Sequence, residues 1–189
     1  MFRLLLVLIF GLASSGPQDR SQARIDVVAL EHRIHELINA ERAASKLRPL
    51  KTDERLSDIA RLHSEDMAHR SFFDHVNPDG KDPTARGRAG RYTCTKDFVE
   101  FRTEGLAEMR AEGLAENIFQ NNLYNRVIVR GKEMTFDWNT VGKIAESTVD
   151  GWMRSPGHRR TILTSRYDKT GIGIAIASND QVLITQLFC

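Results

Sequence analysis

The hydrophobic positions of the chain change period along its length. From Asp26 they fall at Val27, Leu30, Ile34, Leu37 and Ile38, the three- and four-residue spacing of a helix with one apolar stripe, and Asp26 stands where a side-chain oxygen caps the first turn. This helix is expected over 26–45. After a break at Pro49, Thr52 or Asp53 can cap a second helix with Leu56, Ile59, Ala60, His63 and Met67 on one side, ending near Arg70. Residues 71–83 hold Phe72, Phe73 and the turn signal Asn77-Pro78-Asp79-Gly80, which predicts a loop with two aromatic anchors. Helical spacing returns over 141–153, with Ile144, Thr148, Val149 and Trp152 inward, and Ser155-Pro156-Gly157 is expected to stop that helix just before His158. At the end the period drops to two. Ile172, Ile174 and Ile176 alternate with Gly173 and Ala175, Ser178-Asn179-Asp180 makes a turn, and 182–188 pairs back as the second strand of a hairpin.

Between these elements, 98–102 alternates like a strand, and 104–117 carries EGLAEMR followed eight residues later by EGLAENI. Residues 117–120 and 126–130 read as strands around an Asn-rich turn, the second favoured by Val127, Ile128 and Val129, while 131–138 is expected to be loop. Helices come first and strands lie between and last, without strand–helix–strand alternation. That order predicts an α+β fold and not a doubly wound parallel sheet.

At 189 residues, 41% hydrophobic and 28% charged, the chain has the composition of a globular protein with one buried core. Lys and Arg number 27 against 25 Asp and Glu, so the net charge of +2 gives no general attraction to nucleic acid or to an anionic membrane. The first residues read as an export signal: Arg3, an apolar run over 4–12, then Ala13, Ser14 and Ser15. That run is too short to span a bilayer as a helix. The expected organisation is therefore a signal peptide with a short linker over 1–23 and one domain over 24–189, a monomer exported to the periplasm or the exterior, with no transmembrane helix after processing. In an oxidising compartment Cys94 and Cys189, an even pair without CxxC spacing, favour a disulfide over a metal or redox site; two buried free thiols are the alternative.

Six histidines are candidates for chemistry. His32 and His35 fall on the polar side of the first helix and are expected to be solvated, since HELIN lacks the second His that a zinc-protease helix needs at i+4. His63 and His69 are six residues apart and point about 120° from each other on one helix, so they cannot share a metal from it. His63 shares the stripe of Ile59 and Met67, which suits a core imidazole bonded to a carbonyl. His75 and His158 differ, because each follows a helix and adjoins a rigid Pro-containing turn, the kind of loop on which sites gather.

Four motifs, in order, carry a more specific signal: AERAASKLRPLKTDERLSDIARLHSEDMAHRSFFDHVNPDG, then GLAENIF, then WMRSPGHRRTIL, then TGIGIAIA with TQLF. Together they resemble the SCP domain of the CAP superfamily, which comprises cysteine-rich secretory proteins, antigen-five proteins and plant pathogenesis-related class-one proteins, in its bacterial or archaeal form. The resemblance spans roughly 30–188, with 95–111 and 121–140 standing outside it as insertions. It implies a three-layer α-β-α sandwich with a central antiparallel sheet and an open cleft lined by two His and two Glu, whose His pair binds a divalent metal in some members. Matched position by position, it places His75, Glu116 and His158 in that cleft. The fourth position departs, since Ser155 stands three residues after Trp152 where eukaryotic members carry Glu. Asn117 and Gln186 are expected to supply hydrogen bonds nearby, and Glu108, in the duplicated copy, competes with Glu116 for the role.

Two imidazoles and one carboxylate are the ligand set of a zinc site with an open position for water. Without the second carboxylate there is no separate general base, because Glu116 cannot readily both ligate and shuttle protons. The alternative is that the three side chains form a hydrogen-bonded cluster tying two loops to the sheet. The resemblance implies no single activity. The leading expectation is a secreted protein that binds a small ligand, a lipid or a protein partner in the cleft; the alternative is a metal-dependent, peptidase-like hydrolase using the same residues. Ser155 and His158, three residues apart with no third member, make a poor nucleophile pair.

Overall fold

In a computed structural model the protein is described over residues 25–102 and 105–189, with the backbone alone for 97–102 and 105–111. The expected signal peptide lies outside the described residues. Helix α1 (Val27–Ala44) starts at Asp26, whose side chain accepts the Ala29 N–H, and buries Leu30, Ile34 and Ile38. A short strand β1 (Lys51–Thr52) precedes α2 (Glu54–Arg70), which Asp53 caps through the Arg55 and Leu56 N–H groups. The strand β4 (Ala115–Asn122), the helix α4 (Val141–Arg154) and the hairpin β7 (Lys169–Ile176) with β8 (Gln181–Phe188) complete the frame. The central sheet runs β1-β7-β8-β4, antiparallel except where β1 meets β7. Helix α2 packs on one face and α1 with α4 on the other, giving the α-β-α sandwich.

Close approach of α2 to the sheet depends on Gly171 and Gly173. A Cβ at Gly173 would lie 2.0 Å from the Arg61 nitrogen, and one at Gly171 would lie 2.2 Å from the Leu56 carbonyl carbon. On the opposite face Trp152 is fully buried and donates its indole N–H to the Ile118 carbonyl at 3.0 Å, with Phe119 edge-on to its ring. Cys94 and Cys189 are disulfide-bonded, joining the chain before the first insertion to the end of β8.

Two expectations need correction. Residues 131–138 are not loop: Glu133–Trp138 forms β6, antiparallel to β5 (Tyr124–Arg130). Ser155-Pro156-Gly157 does stop α4, but the chain restarts at once as α5 (Pro156–Ile162), because a proline lacking an N–H fits the first turn of a helix. His158 therefore lies in the first turn of α5 and not in a loop. The loop expected over 71–83 is present as far as Asp82, which caps the helix that follows it, α3 (Pro83–Ala89), with Pro83 in its first turn. The two stretches outside the family resemblance form separate two-stranded sheets, β2 (Thr95–Arg102) with β3 (Gly105–Glu112), and β5 with β6. The second copy begins at Glu112, the last residue of β3, and continues into β4, so Glu108, opposite Val99 in β3, is not on the strand that carries Glu116.

Candidate functional site

Glu116 is the second residue of β4, opposite Leu187 of β8. Its side chain faces α2 and is 1% exposed. A carboxylate at that depth is costly unless it is paired and hydrogen-bonded, and both its oxygens are engaged. Oε1 pairs with His75 Nδ1 at 2.8 Å, while Oε2 accepts a hydrogen bond from Arg86 Nη2. Arg86 also donates Nη1 to the carbonyls of His75 (2.7 Å) and Lys81 (2.9 Å), so one guanidinium ties α3, the loop and the strand together.

The loop carrying His75 is fixed from within. Asn77 donates to Asp66 at 3.1 Å and accepts the N–H groups of Asp79 and Lys81, and Arg70 pairs with Asp79. His63 is buried as expected, with Nε2 3.0 Å from the Asp74 carbonyl; the same nitrogen stands 4.0 Å from Glu116 Oε1, which brings His63 behind the His75–Glu116 pair. His35, expected to be solvated, is half-buried, with Nε2 3.0 Å from the Leu50 carbonyl, because the chain leaving α1 folds back across it; His32 remains exposed.

His158 is carried by α5, which packs against β4. Its helix is held at both ends. Asn117 donates Nδ2 to the His158 carbonyl at 3.3 Å, and the fully buried Arg42 donates to the carbonyls of Ile162 (2.6 Å), Thr164 (3.0 Å) and Tyr167 (3.2 Å) at the far end of α5. Asn117 therefore supports His158 and not the Glu116 carboxylate, since neighbouring residues of a strand point to opposite faces. Gln186, opposite Asn117 in the ladder, is buried and donates to Thr170 Oγ1 at 3.1 Å, away from the cleft cluster. Ser155 precedes α5 without a side-chain capping bond.

The histidines are tuned in opposite directions. The hydrogen bond to Glu116 raises the His75 pKa above its ordinary value against the pull of partial burial. Burial lowers that of His158, helped by the charge on His75. Burial also lowers that of His63, partly offset by Glu116. His75 favours the imidazolium and His158 the neutral ring, and His158 lies close enough to feel the charge of His75.

The residues do not fit a zinc centre of two imidazoles and a carboxylate. Both Glu116 oxygens are committed, one of them to a guanidinium whose charge opposes a divalent cation, and among the described residues no three His, Cys, Asp or Glu side chains cluster as a metal-binding group. Arg86 is the functional residue that sequence reasoning missed. The signal available was Glu116 itself: a carboxylate on the inward side of a strand requires a cation.

The model of the family described as "Cysteine-rich secretory protein family" matches residues 35–188, most of the chain. The chain belongs to the CAP family. The uncharacterized protein YkwD of Bacillus subtilis (strain 168) is 30% identical over 154 residues, covering 81% of this chain and 45% of the relative. The uncharacterized membrane protein YlbC of the same organism is 28% identical over 144 residues, covering 76% and 31%. This chain thus spans less than half the length of either. Among solved structures, an outer surface protein from Borrelia burgdorferi superposes with a TM-score of 0.60 at 16% identity, covering 87% of this chain and 94% of that one. An extracellular protein containing a SCP domain from Bacillus anthracis str. Ames gives 0.58 at 22%, covering 92% and 44%. At these identities the superpositions show the CAP fold.

Proposed function

We propose that this CAP domain is an exported binding protein whose cleft holds the anionic group of a small acid or a lipid between His75 and His158. The observation that carries this reading is the state of Glu116, buried and engaged on both oxygens by His75 and Arg86. A carboxylate so placed is a positioning group. It fixes the His75 ring and its proton on Nδ1, leaving Nε2, on a side chain 47% exposed, as a charge-assisted donor. His158, favouring the neutral form, offers a second ring nitrogen without adding a second charge that would have to be neutralised.

The metal-dependent hydrolase reading is weaker on the same observation, because it needs Glu116 as ligand or base and leaves Arg86 unexplained. Export is supported by the disulfide and by the extracellular member from Bacillus anthracis with the same fold.

The test is a titration followed on the imidazole resonances by NMR near pH 6, with three separate probes: inorganic phosphate, palmitate and zinc chloride. The reading expects His75 and His158 to shift together and saturably with phosphate or palmitate, phosphate alone indicating a free anion and palmitate alone a lipid. Zinc as the one probe that moves both rings, or no shift with any probe, overturns it.

A further inference from the structure

The two edges of the central sheet are unlike. One edge, β4, carries Glu116 and the cleft; at the other, β7 is covered by β1 only at Lys169 and Thr170. Lys169 and Cys189 exchange both backbone hydrogen bonds at 3.0 Å, which sets the phase of the β7–β8 ladder. By alternation Gly171 and Gly173 turn their backbone groups to β8, while Thr170, Ile172 and Ile174 turn theirs outward. The Thr170 carbonyl accepts the Asp53 N–H at 2.9 Å, and there the chain leaves the edge to start α2. Past that point the N–H and C=O of Ile172 have no hydrogen-bond partner among the described residues. Ile172 lines a cavity of about 270 Å³ between a stripe of α1 (Glu31, His32, His35) and a stripe of α2 (Glu54, Arg61). Glu31 is 13% exposed; its Oε2 pairs with Arg61 at 3.3 Å, while Oε1 is buried without a partner. The Ile174 N–H, the next outward group along the edge, faces the same carboxylate. Arg61 is shared with Asp58 at 2.9 Å. Burial raises the Glu31 pKa, partly offset by Arg61, as befits a carboxylate short of one cation.

We infer that this cavity takes the amino end of a peptide, its α-ammonium on Glu31 and the N–H and C=O of its second residue on Ile172. A buried carboxylate oxygen needs a donor, and a charged donor serves it best. An unpaired N–H and C=O on one strand residue are matched by another extended backbone, the mode by which peptides add to sheet edges. The two demands lie one outward repeat apart, Ile172 to Ile174, a span of about 6.6 Å that the first residue of a peptide and the amide after it bridge. Such a peptide runs antiparallel to β7 with its amino end towards Ile174. Because β1 already occupies the edge at Thr170, only the first two residues are held there before the chain turns out to solvent. The charge of the lining is negative, Glu31 and Glu54 against Arg61, which disfavours an acidic ligand. Among the described residues no three His, Cys, Asp or Glu side chains form a metal-binding group, which disfavours a bare cation. The inference does not rest on the cleft reading, whose residues gather at the opposite edge of the sheet.

The experiment is an NMR titration of the full chain with alanyl-alanine amide at about pH 7, where a peptide α-amino group is largely protonated. The His32 and His35 imidazole resonances are expected to shift saturably, and those of His75 and His158 to stay in place, which separates this site from the cleft. N-acetyl-alanyl-alanine amide, which lacks the ammonium, and ethylamine, which lacks the amide, should each bind about tenfold more weakly or worse. Glu31→Gln should weaken the dipeptide amide by about tenfold, the loss expected for one charge-assisted hydrogen bond. Glu54→Gln, at an exposed position, should keep the wild-type urea midpoint and weaken binding by about threefold, so the test survives a Glu31→Gln variant that does not fold. No saturable shift of His32 and His35 in the wild-type protein overturns the inference. So does an acetylated peptide that binds as well as the free one, or unchanged affinity in whichever of the two variants folds.

Discussion

Replacing Arg86 by Met tests the ion pair on which the cleft is built. Met keeps most of the aliphatic stem and removes the guanidinium, leaving Glu116 buried at 1% exposure with His75 as its remaining partner. The variant also strips the His75 and Lys81 carbonyls of their donor. Breaking a buried pair by removing one member costs about 3–5 kcal/mol, mostly from the charge left behind. Arg86 is itself 9% exposed, so solvent screening takes little from that figure. The measurement is the urea midpoint of the variant at pH 7, with Arg86→Met/Glu116→Leu as a control. If stranded charge is the cause, the double variant recovers much of the loss; additive costs would point instead to packing. An Arg86→Met midpoint within about 0.5 kcal/mol of the wild type, the size expected for an ordinary surface substitution, would refute the reasoning.

Trp152→Ala should cost about 3–5 kcal/mol, because it empties a fully buried site and strands the Ile118 carbonyl; a wild-type denaturant midpoint would contradict the packing of α4 on β4. Reducing Cys94–Cys189 opens a span of 95 residues and should lower stability by about 4–5 kcal/mol in the chain-entropy account; equal midpoints with and without a reductant would contradict it. The raised pKa of His75 means that its bond to Glu116 contributes fully below the ordinary imidazole value of about 6.5 and is lost as pH rises through the raised value. His158 and His63, with lowered values, act oppositely and destabilise the fold as pH falls below about 6.5. His75→Ala should therefore lose its stability deficit at alkaline pH, checked by urea midpoints at pH 6 and 9; a deficit independent of pH would contradict the assignment.

Helices α1, α2 and α4 are legible in the sequence because each buries one stripe, and the β7–β8 hairpin is legible because its alternation is uninterrupted. The misses have particular causes. Pro156 reads as a terminator but also starts the next helix, and Pro83 does the same at α3. In Glu133–Trp138 the alternation of polar and apolar residues is present, but Gly131 favours a loop at its start. His75, Glu116 and His158, far apart in the chain, are brought together in the sequence only by their resemblance to CAP motifs. Of the two residues expected to supply hydrogen bonds near the cluster, Asn117 donates to the His158 carbonyl and Gln186 to Thr170, and strand alternation puts both on the face opposite Glu116. Arg86 is legible only through the demand of a buried carboxylate for a cation, a demand that names no residue.

The central claim is that Glu116, fixed by Arg86, holds His75 in its charged form beside a neutral His158. The pH titration of the individual imidazoles by NMR tests it directly. His75 is predicted to titrate above the ordinary histidine value and His158 below it, with Glu116→Gln bringing His75 down towards His158. A His75 that titrates at or below His158 in the wild-type protein would contradict the account.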